Sequence, residues 1–172
     1  MNIVLLEPEI PLNTGNIGRT CVAAGCGLHL IKPLGFSLDE KYVKRSGLDY
    51  WHRLNLRVYE NFQDFLRKNE NAPIFMATTK APRVYTEISY PKGSFIVFGK
   101  ESAGIPEEIL LNYQQTCMRI PMAYNERSLN LSNAAAIILY EALRQHNFET
   151  LSLTGKLTKS EWREDNNDFS KN

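Results

Sequence analysis

Apolar residues come in short bursts along the first 120 positions of the chain. Runs of four or five, rich in β-branched and aromatic side chains, occur at Ile3 to Leu6, Leu28 to Ile31, Leu56 to Tyr59, Ile74 to Thr78, Phe95 to Phe98 and Cys117 to Ile120. Runs that are short and continuous, rather than alternating with polar residues, predict strands buried on both faces. Helical segments lie between them. Gly15 to Ala24 is closed by Gly25 or Gly27, Asn61 to Asn69 has Asn61 as its N-cap, and Pro106 to Tyr113 carries proline in its first turn. Strands alternating with helices predict an α/β fold, a parallel sheet covered on both faces.

The pattern changes at Leu131. In LSNAAAIILYEALRQHN the apolar residues wrap too far round for one stripe: Leu131, Ala135, Ile138 and Ala142 share a side that Ala134, Ile137, Tyr140 and Leu143 extend. This helix is expected to be buried on two sides, the second against its own subunit or against another copy of the chain. Beyond Leu153 the sequence turns polar and charged, with Trp162 and Phe169 its only large aromatic residues. The expected organisation is a single domain over residues 1–150 and a mobile tail over 151–172.

A chain of 172 residues with a formal net charge of +1 suffices for one core and has no global pull toward nucleic acid. RNA binding would need a local basic patch or more than one chain. The start, MNIVLLEPEIP, lacks the basic end and long apolar core of a signal peptide, and no later stretch approaches membrane-spanning length. A cytoplasmic protein with no membrane partner is expected. Cys21, Cys26 and Cys117 are odd in number and lack C-x-x-C spacing, and His29, His52 and His146 are scattered, so neither a disulfide framework nor a metal is expected.

The stretch NTGNIG, Asn13 to Gly18, is one residue away from a dinucleotide fingerprint. That fold needs an acidic residue at the end of the second strand, where this chain has Lys32-Pro33, and the triphosphate-binding glycine loop is also missing. Read locally, the stretch is a tight strand-to-helix turn in which Asn13 caps the helix and the glycines allow close packing. Arg19, just after it, is placed to meet an anionic substrate at the carboxyl end of a strand. Two further strand ends carry the same kind of chemistry. Phe95 to Phe98 runs into GKESAGIP, and Cys117 to Ile120 runs into Pro121-Met122 and then RSLNLSN, whose Ser and Asn could cap the last helix. Three strand ends bearing Gly, Arg, Glu, Ser and Asn predict one convergent site.

NTGNIGR, FGKESAGIP and IPM…RSLNLSNAAAIILYE resemble, in order and spacing, the three motifs of the SPOUT RNA methyltransferases. The likeness runs from Met1 to about Phe148, includes Leu48-Asp49-Tyr50, and is greatest to the minimal tRNA 2′-O-methyltransferases that modify the ribose of the wobble nucleotide. It implies an α/β knot with a C-terminal trefoil, a homodimer whose active site uses both subunits, and S-adenosylmethionine bound in the knot. By position it assigns catalysis to Arg19, Glu101 and Asn130. Ala77, Thr78, Gly99, Glu101, Gly104, Ile120, Met122, Ser128, Leu129 and Asn133 would surround the cofactor. Arg19 is not a base at ordinary pH, so its expected role is to hold the substrate and stabilise charge on the 2′-oxygen.

For RNA contact the candidates are Lys41, Lys44 and Arg45, with Arg53 nearby and Tyr50 as a platform for an unpaired base of the anticodon loop. Two alternatives stand beside wobble methylation. One is a 2′-O-methyltransferase acting elsewhere on tRNA or on rRNA, and the other is a cofactor-binding RNA protein without turnover.

Overall fold

The computed structural model describes residues 1–38 and 50–162. Six parallel strands form one sheet: β1 (Asn2–Leu6), β2 (Gly27–Ile31), β3 (Leu56–Tyr59), β4 (Ile74–Ala77), β5 (Phe95–Phe98) and β6 (Cys117–Met118). Their order across the sheet is β3-β2-β1-β5-β4-β6. The longer helices are α1 (Pro11–Ala24), α2 (Phe62–Lys68), α3 (Glu107–Asn112) and α4 (Leu131–Arg144).

The continuous apolar runs are explained by the two cores that they feed. Along β1, Ile3 and Leu5 point to one face and Val4 and Leu6 to the other; β5 divides in the same way, with Ile96 and Phe98 opposite Phe95 and Val97. The first face is covered by α1 and α4 through Ile17, Cys21, Ile138 and Leu139, the second by α2 and α3 through Phe65 and Leu110. All three cysteines are buried and free, and burial pushes the Cys21 thiol up to about 12. They pack as small apolar groups.

Local signals act where their chemistry predicts. The Asn61 side chain accepts the amide of Asp64 at 2.9 Å and starts α2. Gly25, at φ 64°, ends α1 in the left-handed conformation, while Gly27 opens β2. Two expectations change. The helix expected from Gly15 begins at Pro11, so the NTGNIG stretch lies inside α1, and Asn13 is not its cap. The run expected to be a strand to Ile120 pairs in the sheet only through Cys117 and Met118. Arg119 leaves the sheet to bond the β4–β5 connection: its amide donates to Arg83 O at 2.9 Å, and it accepts from the amide of Tyr85 at 2.9 Å.

Of the second-side residues of α4, Leu143 enters the core, whereas Ile137 and Tyr140 remain 37% and 43% exposed. Residues 152–162 carry no helix or strand. Among the described residues no helix is long and apolar enough to cross a membrane.

Candidate active site

The carboxyl ends of β1, β4 and β5 and the segment that follows β6 meet around a cavity of about 530 Å³. Its walls include Ala77 and Thr78 from the end of β4, the Gly99–Ile105 loop after β5, and Arg127 to Leu131 leading into α4. A smaller cavity of about 80 Å³ adjoins it, sharing Ala77, Thr78, Ser128 and Leu129 and adding Ile120 and Met122. Gly99 is required by close approach, since a Cβ there would lie 2.0 Å from the carbonyl carbon of Gly104. Gly104, at φ 71°, closes the loop with its amide on Lys100 O at 2.8 Å.

Glu101 is the hub of the polar network. Its Oε2 accepts the amide of Glu9 at 2.8 Å, and its Oε1 accepts the amide of Ile10 at 3.3 Å and the Asn13 side-chain Nδ2 at 2.9 Å. The reason lies in the start of α1. Ile10 occupies the N-cap position and has no side-chain oxygen to offer, so the carboxylate of a distant loop meets the amides entering the helix, where negative charge is favoured. Buried Asn13 passes the contact on, its Oδ1 accepting Asn130 Nδ2 at 3.0 Å. Asn130 also caps α4, its Oδ1 accepting the amide of Ser132 at 2.9 Å and the Ser132 hydroxyl at 2.7 Å. One hydrogen-bonded chain, Glu101–Asn13–Asn130–Ser132, therefore joins three elements. With three donors on its carboxylate, Glu101 is suited to orient rather than to abstract a proton.

Arg19 stands apart from this chain. It is exposed on α1 and lines neither cavity, with its guanidinium carbon 4.8 Å from the centre of the Tyr50 ring. Tyr50 is only 2% exposed, and its hydroxyl donates to Gly15 O. The face of its ring is therefore a platform for Arg19, which corrects the expectation that Tyr50 stacks on an RNA base. Gly18 permits this packing: a Cβ there would sit 3.3 Å from Leu54 Cδ2 and 3.5 Å from both the Trp51 and Tyr50 rings.

Of the residues expected at the cofactor, Ala77, Thr78, Gly99, Glu101, Gly104, Ser128 and Leu129 line the larger cavity, and Ile120 and Met122 the smaller. Asn133 lines neither and is exposed on the first turn of α4. Arg53 is exposed on the turn after Tyr50, whereas Lys41, Lys44 and Arg45 lie outside the described residues. Sequence reasoning missed Asn13 as the bridge. Pro11, a residue favoured at the first helical position, was the available signal that the helix starts before Asn13.

A parallel α/β sheet with a convergent cavity at its carboxyl edge defines the class, and comparison with known proteins gives the family. The chain belongs to the SpoU rRNA methylase family, whose model matches residues 1–140. It is 49% identical over 148 residues to the tRNA (cytidine(34)-2′-O)-methyltransferase of Methylovorus glucosotrophus, covering 86% of this chain and 96% of that protein. A solved structure described as giving insight into the 2-OH methylation of C/U34 on tRNA is 41% identical with a TM-score of 0.80, covering 85% of this chain and 95% of the other. The AdoMet-bound rRNA methyltransferase of Sinorhizobium meliloti is 28% identical with a TM-score of 0.75, covering 88% of this chain and 57% of that one.

Proposed function

We propose that the protein transfers the methyl group of S-adenosylmethionine to the ribose 2′-hydroxyl of the wobble nucleotide, cytidine or uridine 34, of tRNA, as its relatives' names describe. The observation that carries this reading is the cavity itself. A glycine loop, Thr78, Ser128 and apolar Leu129 and Ala134 enclose a volume in the range of ligand sites. Two of its three basic lining residues are paired, Lys80 with Glu107 and Lys100 with Glu7, and Glu101 sets a carboxylate in the wall that also holds Arg127. S-adenosylmethionine supplies a methyl carbon on positively charged sulfur, open to displacement by a hydroxyl oxygen.

The chain's own residues align that displacement. Glu101, Asn13 and Asn130 hold the cavity wall and the start of α4, while Arg19 supports negative charge developing on the 2′-oxygen. Since Arg19 lines neither cavity of its own protomer, it serves in this reading the cavity of a partner copy. Exposed Leu12, Ile137 and Tyr140 on α1 and α4 support a homodimer through this face. A double change, Ile137→Asp with Tyr140→Asp, is expected to turn a dimer into a monomer by light scattering and to remove methyl transfer.

The C-terminal trefoil belongs to the same reading. The chain passes from β5 over β4 to edge strand β6, then returns to bring Asn130 to Asn13 beside β1, held on the way by Arg83 and Tyr85. Residues 1–150 form the catalytic domain, working in the cytoplasm where tRNA is found.

The test is transfer of labelled methyl from S-adenosylmethionine to tRNA from cells lacking the protein, followed by digestion. The expected product is a 2′-O-methylated nucleoside mapping to position 34. No label in tRNA but label in ribosomal RNA from the same cells, supplied in a parallel reaction, would replace the substrate, and cofactor binding without transfer to either would remove the activity.

A further inference from the structure

The contacts between the β1–α1 connection and the loop after β5 extend to both neighbours of Glu101. Lys100 Nζ pairs with Glu7 at 3.0 Å. Ser102 donates its amide to Glu9 Oε2 at 2.8 Å and its hydroxyl to Glu9 Oε1 at 2.8 Å. Glu9 in turn donates its own amide to Glu101 Oε2 at 2.8 Å. The two strand ends therefore grip each other crosswise: the side chain of Glu9 is on the backbone of Ser102, and the side chain of Glu101 is on the backbone of Glu9.

Glu9 is backed from the other side. A Cβ on Gly35 would lie 2.7 Å from both Glu9 Cα and its carbonyl oxygen, and the Gly35 amide donates to Pro8 O at 2.9 Å. Hydrogen bonds from Ser102 hold the Glu9 carboxyl below the usual carboxylate range, so at neutral pH it is in the ionised form that accepts both. The loop that carries Glu101 is a tight turn closed by the Gly104 amide on Lys100 O at 2.8 Å, and Glu9 ties that turn to the β1–α1 connection. Glu9 lines neither cavity, so it acts on the site only through this grip.

We propose that Glu9 is a positioning residue for methyl transfer: its clasp on Ser102 fixes the turn that presents Glu101 to the start of α1 and to Asn13. The proposal rests on the methyltransferase reading above. Without the clasp, the 100–102 turn loses one of its anchors, and Glu101 leaves the amides at positions 9 and 10 for part of the time.

The experiment compares Glu9→Ala, Glu9→Gln and Ser102→Ala with the unaltered protein in two readouts, steady-state methyl transfer to tRNA and amide hydrogen exchange without RNA. In Glu9→Ala, exchange is expected to quicken at positions 9, 10 and 102, and kcat to fall about tenfold, the scale of one hydrogen bond to a charged group, with less change in the KM for S-adenosylmethionine. Glu9→Gln keeps an acceptor and should recover most of kcat. Ser102→Ala, which loses one bond of the two, should show the same pattern more weakly. Faster exchange at Ser102 alone, with positions 9 and 10 still protected, would overturn the proposal. So would faster exchange throughout the sheet with no rescue by Gln, which marks a purely structural role. If the unaltered protein transfers no methyl to tRNA, the functional reading fails, and exchange at positions 9 and 10 still decides the clasp.

Discussion

Arg19→Ala is expected to reduce methyl transfer at saturating cofactor and tRNA by about 10²- to 10³-fold, the range for loss of one preorganised donor to a developing oxyanion. Cofactor affinity should hold, because the role assigned to Arg19 is on the 2′-oxygen of the RNA and not on the cofactor. Arg19→Lys should recover little: an ammonium is a point charge without the planar fork, and it stacks less well on the Tyr50 ring. Tyr50→Leu removes the face under the guanidinium and should cost about two- to fivefold, the range of an exposed cation–π contact. The decisive form of the experiment mixes subunits. A heterodimer of an Arg19→Ala chain with an Asn130→Ala chain keeps one complete site if arginine serves the partner's cavity, and no complete site if it serves its own. Recovery of activity in the mixed dimer, measured as methyl transfer, is the expected result. Its absence would return Arg19 to its own protomer.

Much of the sheet can be read directly from the chain. Parallel strands buried on both faces must be continuously apolar, and NIVLL and FIVF have no other economical use. The last helix is equally legible, because LSNAAAIILYEALR combines a capping Asn130 with helical spacing. What sequence could not supply was the destination of the polar side chains. Asn13 is a good capping residue by type, yet Pro11 starts the helix earlier and leaves the amide free to reach Glu101 and Asn130, 88 and 117 positions away along the chain. Tyr50 looks like a base-stacking residue until burial closes that option. The β6 run is cut at Met118 because Arg119 finds its backbone partners in Arg83 and Tyr85 rather than in β4. Motif spacing identified which loops converge, whereas tertiary contacts decided what each residue does there.

Replacing Asn13 tests whether the chain from Glu101 to Ser132 acts as a unit. Asn13 is 5% exposed and gives a donor to one partner and an acceptor to the other, which no apolar residue can do. Asn13→Ala leaves Glu101 Oε1 with only the amide of Ile10 and Asn130 Nδ2 without its acceptor. Unmade bonds of this kind cost about 1–3 kcal/mol, so a lower melting temperature and at least a tenfold loss of kcat are expected. Asn13→Asp should be worse, and pH-dependent in a known direction. The new carboxylate oxygen would replace the nitrogen now 2.9 Å from Glu101 Oε1, setting two anions in contact. Repulsion raises the pKa of the introduced carboxyl group above its unfolded value, so the folded state holds a proton that the unfolded state releases. Stability therefore falls as pH rises through the carboxylate range. The Asn13→Asp melting temperature should lie further below that of the unaltered protein at pH 8 than at pH 5, as thermal melts at the two pH values would show. A deficit independent of pH would mean that the two side chains separate on substitution, and that the chain through Asn13 does not hold Glu101 in place.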